Sequence, residues 1–542
     1  MKKLYIAFLL LFACLSASAQ WGGEYGVEPK PVGTSDYGTE YVVSPDGTIW
    51  FYYYHPSSTE ENGQTTAVYE MCLQAISKDG KLLFGDKGKV ISSYLNSSYT
   101  EVNQYLYANS DNTVTLVVRD CRNSTSDEQM KSYYAYRIRE DGTHVWNEEG
   151  VNIDEAQTYF QDVCMTFCEL SDGSTAFAWT HEMSDGGYAT EIQKVSKDGK
   201  CQYKLSDTRL TKSKGYYTYP YMVPSDNGSF ILVYAYSSQY YLRAMKYNAD
   251  GTKAWDNETK IYSGGWGSVT SLQSRMKVYP TADNGVVVTW NDDRDNAGYY
   301  APYIAYIKSD GTSVFTNSNG KPDVCLSYEE LSAYPPTIVF SKDNQSIYAI
   351  FPQFSQNTQE WQQISIQKVD MSGQLLYGES GEQLLSLAMI NVGEGSVQLG
   401  EDGKIICFFQ QFYDYHHIDN VYSIRDEKTG KAIDEENPLV RFRDSEHYRD
   451  GLKSTYCAAD STILLYWNED AESSSVDSQT RHNVFAKMTP DGKEVVADNT
   501  GIHNTVAGTA DNAPRYDISG RILSSLKKGD IYIQGGKKHI VK

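Results

Sequence analysis

A β-propeller, expected to have eight four-stranded blades, is the fold that this sequence of 542 residues predicts. Three observations carry the prediction. An Asp-Gly turn is followed four residues later by an aromatic, as in Asp141-Gly142 before Trp146, Asp250-Gly251 before Trp255 and Asp310-Gly311 before Phe315. A second acidic turn runs into an apolar strand, as in Ser225-Asp226-Asn227-Gly228 before Phe230 to Tyr236, or Asp283-Asn284-Gly285 before Val286 to Trp290. The two turns alternate with a period of about 60 residues, the signature of a repeat architecture.

In chain order, the first element is a leader. Lys2-Lys3, an apolar run from Leu4 to Leu15 and the small residues Ala17-Ser18-Ala19 have the charge, core and cleavage order of a signal peptide. Residues 1–19 are therefore expected to be removed, leaving Gln20 first. Leu11-Phe12-Ala13-Cys14 offers an alternative lipoprotein site, which the bulk of Phe12 disfavours. No later stretch approaches the roughly 18 apolar residues that cross a bilayer, so a spanning segment is not expected.

Residues 20–508 are expected to form the propeller. Acidic turns of the first kind fall at Asp46, Asp111, Asp172, Asp226, Asp283, Asp343, Asp402 and Asp460. Turns of the second kind fall between them, at Asp79, Asp141, Asp198, Asp250, Asp310, Ser372, Thr429 and Asp491. Each period reads as four strands, with Tyr, Val, Ile and Phe in the strands and Asn, Asp and Gly supplying the positive backbone angles of tight hairpins. Radial packing buries both faces of such units and protects their edges. Trp146, Trp255, Phe84, Phe315 and Tyr377 are expected on outermost strands, against the neighbouring blade. Seven blades is the alternative count, because the turns at Thr429 and Asp491 lack the aromatic. A β-solenoid, with shorter coils, fits less well.

The formal net charge of -22 disfavours nucleic acid, since a polyanion would meet repulsion and no basic stripe interrupts it. Of nine cysteines, Cys14 is in the leader and eight remain. An even number in an exported chain permits disulfides. Cys164 and Cys168 have no second close pair to complete four zinc ligands, and Cys407 sits in an apolar strand where a buried free thiol is expected. The Asp-Gly turns hold a single carboxylate each, not the several oxygens of a calcium site. No metal or other cofactor is predicted.

Residues 509–542 break the repeat. Arg515-Tyr516-Asp517-Ile518-Ser519-Gly520-Arg521, Lys528-Gly529-Asp530-Ile531-Tyr532-Ile533 and Gly536-Lys537-Lys538-His539-Ile540-Val541-Lys542 imply two short hairpins ending in a basic strand. This tail resembles the C-terminal sorting signal of type IX secretion system cargo from Bacteroidota, with Asp530 as one inserted residue. The resemblance implies recognition of the tail by the secretion machinery, its removal, and a product secreted or attached to the outer-membrane surface. The repeats are also similar to propeller units of such cargo, in which a Trp-x-Asp-x-Arg loop precedes a strand and an Asp-Gly turn. Trp290-Asn291-Asp292-Asp293-Arg294 is the nearest copy, and Trp467-Asn468-Glu469 a partial one that lacks the arginine.

In a blade, the loop between the second and third strands and the link to the next blade share one face of the disc; the tight turns share the other. Candidate ligand contacts on the loop face are Tyr54, His55, Arg119, Asp120, His181, Glu182, Asp292, Asp293, Arg294, Asp295, Gln411, Tyr413, Glu469 and Asp470. Asp292 to Asp295 is the densest charged group. It reads either as a holder of a sugar or cation, or as an arginine that pins its own loop. His181 and Glu182 read as an acid-base pair or as ordinary loop residues. The 45 tyrosines include loop members Tyr240, Tyr241, Tyr299 and Tyr300, whose rings suit stacking on a sugar. The leading expectation is a binding protein whose face contacts a glycan or a host or matrix protein. A polysaccharide-acting hydrolase or lyase is the alternative, and for hydrolysis it needs paired carboxylates across the centre. An envelope assembly role is a third.

Overall fold

The computed structural model describes Trp21, residues 40–495 apart from short gaps, and the strands at 531–534 and 537–540. Most gaps fall in loops between second and third strands and in the links between blades. Eight antiparallel sheets spanning 41–95, 106–158, 165–214, 218–263, 276–325, 332–386, 396–441 and 449–494 follow one another along the chain. The first strands of successive blades lie against one another, which makes them the inner wall of a ring. Blade 8 meets blade 1 through Tyr41, whose hydroxyl is 2.8 Å from Thr455 Oγ1 and whose ring packs on Tyr466 and Phe485. The ring therefore has eight blades, and the helical positions among the described residues are 3-10, at Asp226–Gly228 and at Arg294.

Blade 4 shows the unit as its sequence reads: Thr218–Pro224, Phe230–Tyr236, Tyr241–Tyr247 and Thr259–Ser263, each paired antiparallel with the next. The run Phe230-Ile231-Leu232-Val233-Tyr234 is wholly buried because both faces of a second strand are covered by neighbouring blades. Successive side chains on a strand point to opposite faces. Trp50 thus packs with Leu116 and Ile138 of blade 2, while adjacent Phe51 packs with Leu464 and Phe485 of blade 8. Each such side chain contributes about 1.5–3 kcal/mol of burial. The core is a set of seams between blades.

The repeated turns have a local cause. Asp141 Oδ1 accepts the Thr143 backbone N–H at 2.9 Å and the Thr143 hydroxyl at 2.7 Å; Asp250 and Asp310 do the same for Thr252 and Thr312. One carboxylate per turn is all this requires. Asn112, Asn227 and Asn284 hold the positive φ of the first-kind turns.

The aromatics after the Asp-Gly turns reach the next blade as expected. Phe84, Trp146, Trp255, Phe315 and Tyr377 do so, however, from the bent segments that precede the outermost strands and not from those strands, because a bend lets the ring swing over the neighbouring turn. Trp146 donates its indole N–H to Lys197 O (3.1 Å) and Trp255 to Ser309 O (2.9 Å). Tyr203 and Tyr377 donate hydroxyls to Ala249 O and Glu427 O. Each ring also covers the next turn's glycine. At Gly199, φ is +80° and a Cβ would lie 3.0 Å from the Trp146 ring, so both conformation and space select glycine. A second device was not read from the sequence. A base four residues ahead of the second turn pairs with the first-turn aspartate, as Lys194 with Asp172 (2.8 Å), Lys246 with Asp226 (2.6 Å) and Lys487 with Asp460 (2.6 Å).

Cys72, Cys168, Cys407 and Cys457 are buried free thiols, and no disulfide joins the described cysteines. In the tail, Ile531–Gln534 pairs antiparallel with Lys537–Ile540 as a separate two-stranded sheet. The hairpin expected at Arg515 to Arg521, and the leader, lie outside the described residues. No helix among the described residues is long and apolar enough to cross a membrane.

Candidate functional site

The loop face was expected to gather the ligand contacts. Several of its candidates instead lie inside strands, because the second strands run further than the sequence suggests. Tyr54 belongs to Ile49–Glu61 and is 5 % exposed, its ring edge-on to Tyr52. Arg119 and Asp120 end Val114–Asp120, both buried, and Glu469 is buried within Thr462–Asp470. His55, His181, Glu182, Tyr241, Tyr413 and Asp470 have strand backbones whose side chains are outside the described set; Asp295 and Tyr240 are outside it altogether. Tyr299 and Tyr300 are half-buried, and the Tyr300 backbone is tied to blade 6 through Ser332 and Ala333.

The charged group at the end of the fifth blade's second strand is an anchor. Arg294 donates from Nε to Asp292 Oδ1 (2.8 Å), from Nη2 to Asp292 Oδ2 (2.7 Å) and from Nη1 to Asp323 Oδ2 (2.7 Å). Its guanidinium lies 3.6 Å from the centre of the Tyr303 ring. Trp290 Nε1 donates to Asp292 Oδ2 at 2.7 Å, so both carboxylate oxygens are used. Burial opposes the charge on Arg294, but hydrogen bonds and the charge of Asp292, then Asp323, hold its pKa above the usual value. Burial pushes the Asp323 carboxyl up and Arg294 pulls it back only in part. This is the reading in which the arginine pins its own loop.

The same device stands in two other blades. Arg122 chelates Asp120 and lies 3.7 Å from the centre of the Tyr134 ring, while Asp120 also accepts the Ser92 hydroxyl at 2.7 Å. In blade 8 the arginine comes from the first strand: Arg449 Nε donates to Glu469 Oε2 at 2.8 Å, and the indole N–H of Trp467 meets the same oxygen. The Val118-Arg119-Asp120-Cys121-Arg122 copy carries the Asp-x-Arg signal without its tryptophan, which is how sequence reading passed over Arg122. Asp293 is different. Its Oδ1 is buried without a partner among the described residues, and burial, then the charge of Asp292, raises its pKa.

The inner wall has its own polar pattern. A first strand leaves N–H groups facing the axis, and edges of this kind need a partner or a proline. Glu40 Oε2 accepts the Tyr105 N–H at 2.6 Å from the next blade, and Thr166 Oγ1 accepts the Met222 N–H at 3.0 Å. Burial pushes the Glu40 carboxyl up to about 7, against the pull of the Tyr105 N–H and of Lys453.

Between the inner strands of blades 2 to 5 lies a cavity of about 240 Å³, lined by Tyr107, Thr166, Phe167, Tyr221, Met222, Val223, Pro224, Val278 and Pro280. Pro224 and Pro280 end their strands at the tight turns, so the cavity runs toward the turn face, opposite the loop face. No charged side chain lines it. The half-buried rings of Tyr107 and Tyr221 present flat apolar surface, while Phe167 is buried behind them and the Thr166 oxygen is taken by the Met222 N–H. Sequence reading missed these residues, because an aromatic on a first strand looks the same whether it fills a seam or lines a cavity.

No family model and no curated protein matches the chain. Similar solved structures include the BP39L lectin from Burkholderia pseudomallei, at 10 % identity and TM-score 0.42 over 71 % of this chain and 94 % of that one. The polysaccharide lyase Uly1 is at 10 % and 0.40, over 71 % and 90 %. An alpha-L-arabinofuranosidase from Lactobacillus brevis is at 11 % and 0.29, over 51 % and 92 %. Likeness at this level carries nothing about ligand or activity.

Proposed function

We propose that this propeller is a binding protein whose axial cavity seats one uncharged ring, with a neutral glycan end as the ligand class. The observation that carries the reading is the uncharged lining with the half-buried rings of Tyr107 and Tyr221. Its size supports a single ring, because pockets for larger ligands span about 300–1,000 Å³. The acidic surface, with a net charge of -22, adds a bias against anionic sugars. Hydrolysis would need free carboxylates. Of the described loop-face acids and their partners, Asp120, Asp292, Asp323 and Glu469 are held by arginines, which leaves Asp293 with an unpartnered oxygen but not the facing pair that hydrolysis needs.

The test is a glycan array followed by titration calorimetry on residues 20–508 and on Tyr221→Ala. A ligand seated on that ring loses about tenfold in affinity, or about 1.4 kcal/mol. Hits untouched by Tyr221→Ala but lost in Asp293→Ala would return the site to the loop face. Measured glycan cleavage would overturn the binding reading.

We further propose export by the type IX route to the medium or the outer-membrane surface. The leader and tail motifs support it, and the pairing of Ile531–Gln534 with Lys537–Ile540 gives the tail a sheet of its own. Deleting residues 509–542 is expected to leave the protein in the periplasm of a type IX-competent host. Undiminished surface or medium signal would refute this route.

A further inference from the structure

The lock between blades 4 and 5 has four parts. Lys246 pairs with Asp226 (2.6 Å) and donates to Ser309 O (3.2 Å), and Trp255 from the blade's own turn donates to that same carbonyl (2.9 Å). Blade 8 repeats three of them. Lys487 pairs with Asp460 (2.6 Å) and donates to Lys78 O of blade 1 (3.2 Å), but the position that should hold the aromatic is Val496. Trp21 stands in for it. Its indole N–H donates to Lys78 O at 2.7 Å, Lys487 Nζ lies 4.6 Å from the centre of its ring, and it is buried in the cluster that joins Phe51 and Cys72 of blade 1 to Cys457, Leu464 and Phe485 of blade 8.

We infer that Trp21 is a strap that closes the last seam of the ring, and that the position of the mature N-terminus decides whether the seam is locked. A cut after Ala19 keeps the strap; trimming two more residues removes it. Blade 7 also lacks a turn aromatic but repairs the loss within itself, since Tyr422 donates to Gly492 O (3.1 Å) and Ile424 packs on Gly492. Only the closing seam, among those described, draws its lock from outside the blades.

Site-resolved alkylation of native thiols tests this. Cys72 and Cys457 lie in the closing seam, whereas Cys168 and Cys407 lie in other seams. Burial keeps all four thiols protonated at neutral pH, so their labelling reports opening. Chains beginning at Gln20 and at Gly22, and Trp21→Ala and Trp21→Phe in the longer one, are compared by mass spectrometry. The Gly22 chain and Trp21→Ala are expected to label Cys72 and Cys457 at least about tenfold faster, with Cys168 and Cys407 unchanged and Trp21→Phe between. Equal rates for the Gln20 and Gly22 chains, or faster labelling at all four sites together, would overturn the strap.

Discussion

Arg294→Ala is expected to lower the unfolding free energy by about 3–5 kcal/mol, the cost of leaving a buried carboxylate without its partner. Here two lose their guanidinium, Asp292 and Asp323, with side chains 0 % and 2 % exposed. The loss has a pH sign. Burial already pushes the Asp323 carboxyl up and Arg294 only partly offsets it, so without Arg294 its folded-state pKa lies further above the unfolded value and the folded state is penalised as pH rises through the carboxylate range. The deficit should be larger at pH 8 than at pH 5. Chemical denaturation at both values measures it, and a deficit below about 1 kcal/mol, or one independent of pH, would show the guanidinium to be a surface group with a dispensable charge.

Trp146→Ala should cost about as much, roughly 3–5 kcal/mol, for a different reason. The ring is 5 % exposed, packs with Phe167 and Phe177 in the seam between blades 2 and 3, and roofs Gly199. Removing it opens a cavity that the sheet backbone cannot collapse into, and the Lys197 carbonyl loses its indole donor. Trp146→Phe keeps most of the packing and should lose about half as much. Thermal melts of the pair separate the two contributions; equal losses would mean that the hydrogen bond, not the ring volume, holds the seam.

Much of this architecture was legible because its causes are short-range. Asp141-Gly142-Thr143 makes its turn with atoms two residues apart, and the unbroken apolar run from Phe230 to Tyr236 states that both faces are covered. The eight turn pairs count eight blades, and only the aromatic missing after Thr429 and Asp491 left seven as an alternative. Tyr422 and Trp21 replace that aromatic from a third strand and from the N-terminal segment, and no period in the sequence points to either. The candidate site was the least legible. Asp292, Asp293 and Arg294 stood out as a charged group, yet the contact that consumes Arg294 comes from Asp323 on the outer strand. Tyr54 reads as a loop tyrosine until the strand Ile49–Glu61 is seen to continue past it.

The sequence by itself determined the repeat, the turn chemistry and the all-β fold, because each is written in residues that touch within one hairpin. Tertiary structure alone decided which first-strand aromatics line the cavity between the inner strands, which acids are spent on arginines, and what closes the ring. Those outcomes depend on neighbours from other strands and other blades, as when Lys78 and Trp21 meet across 57 residues of chain at a seam that exists only once the circle is complete.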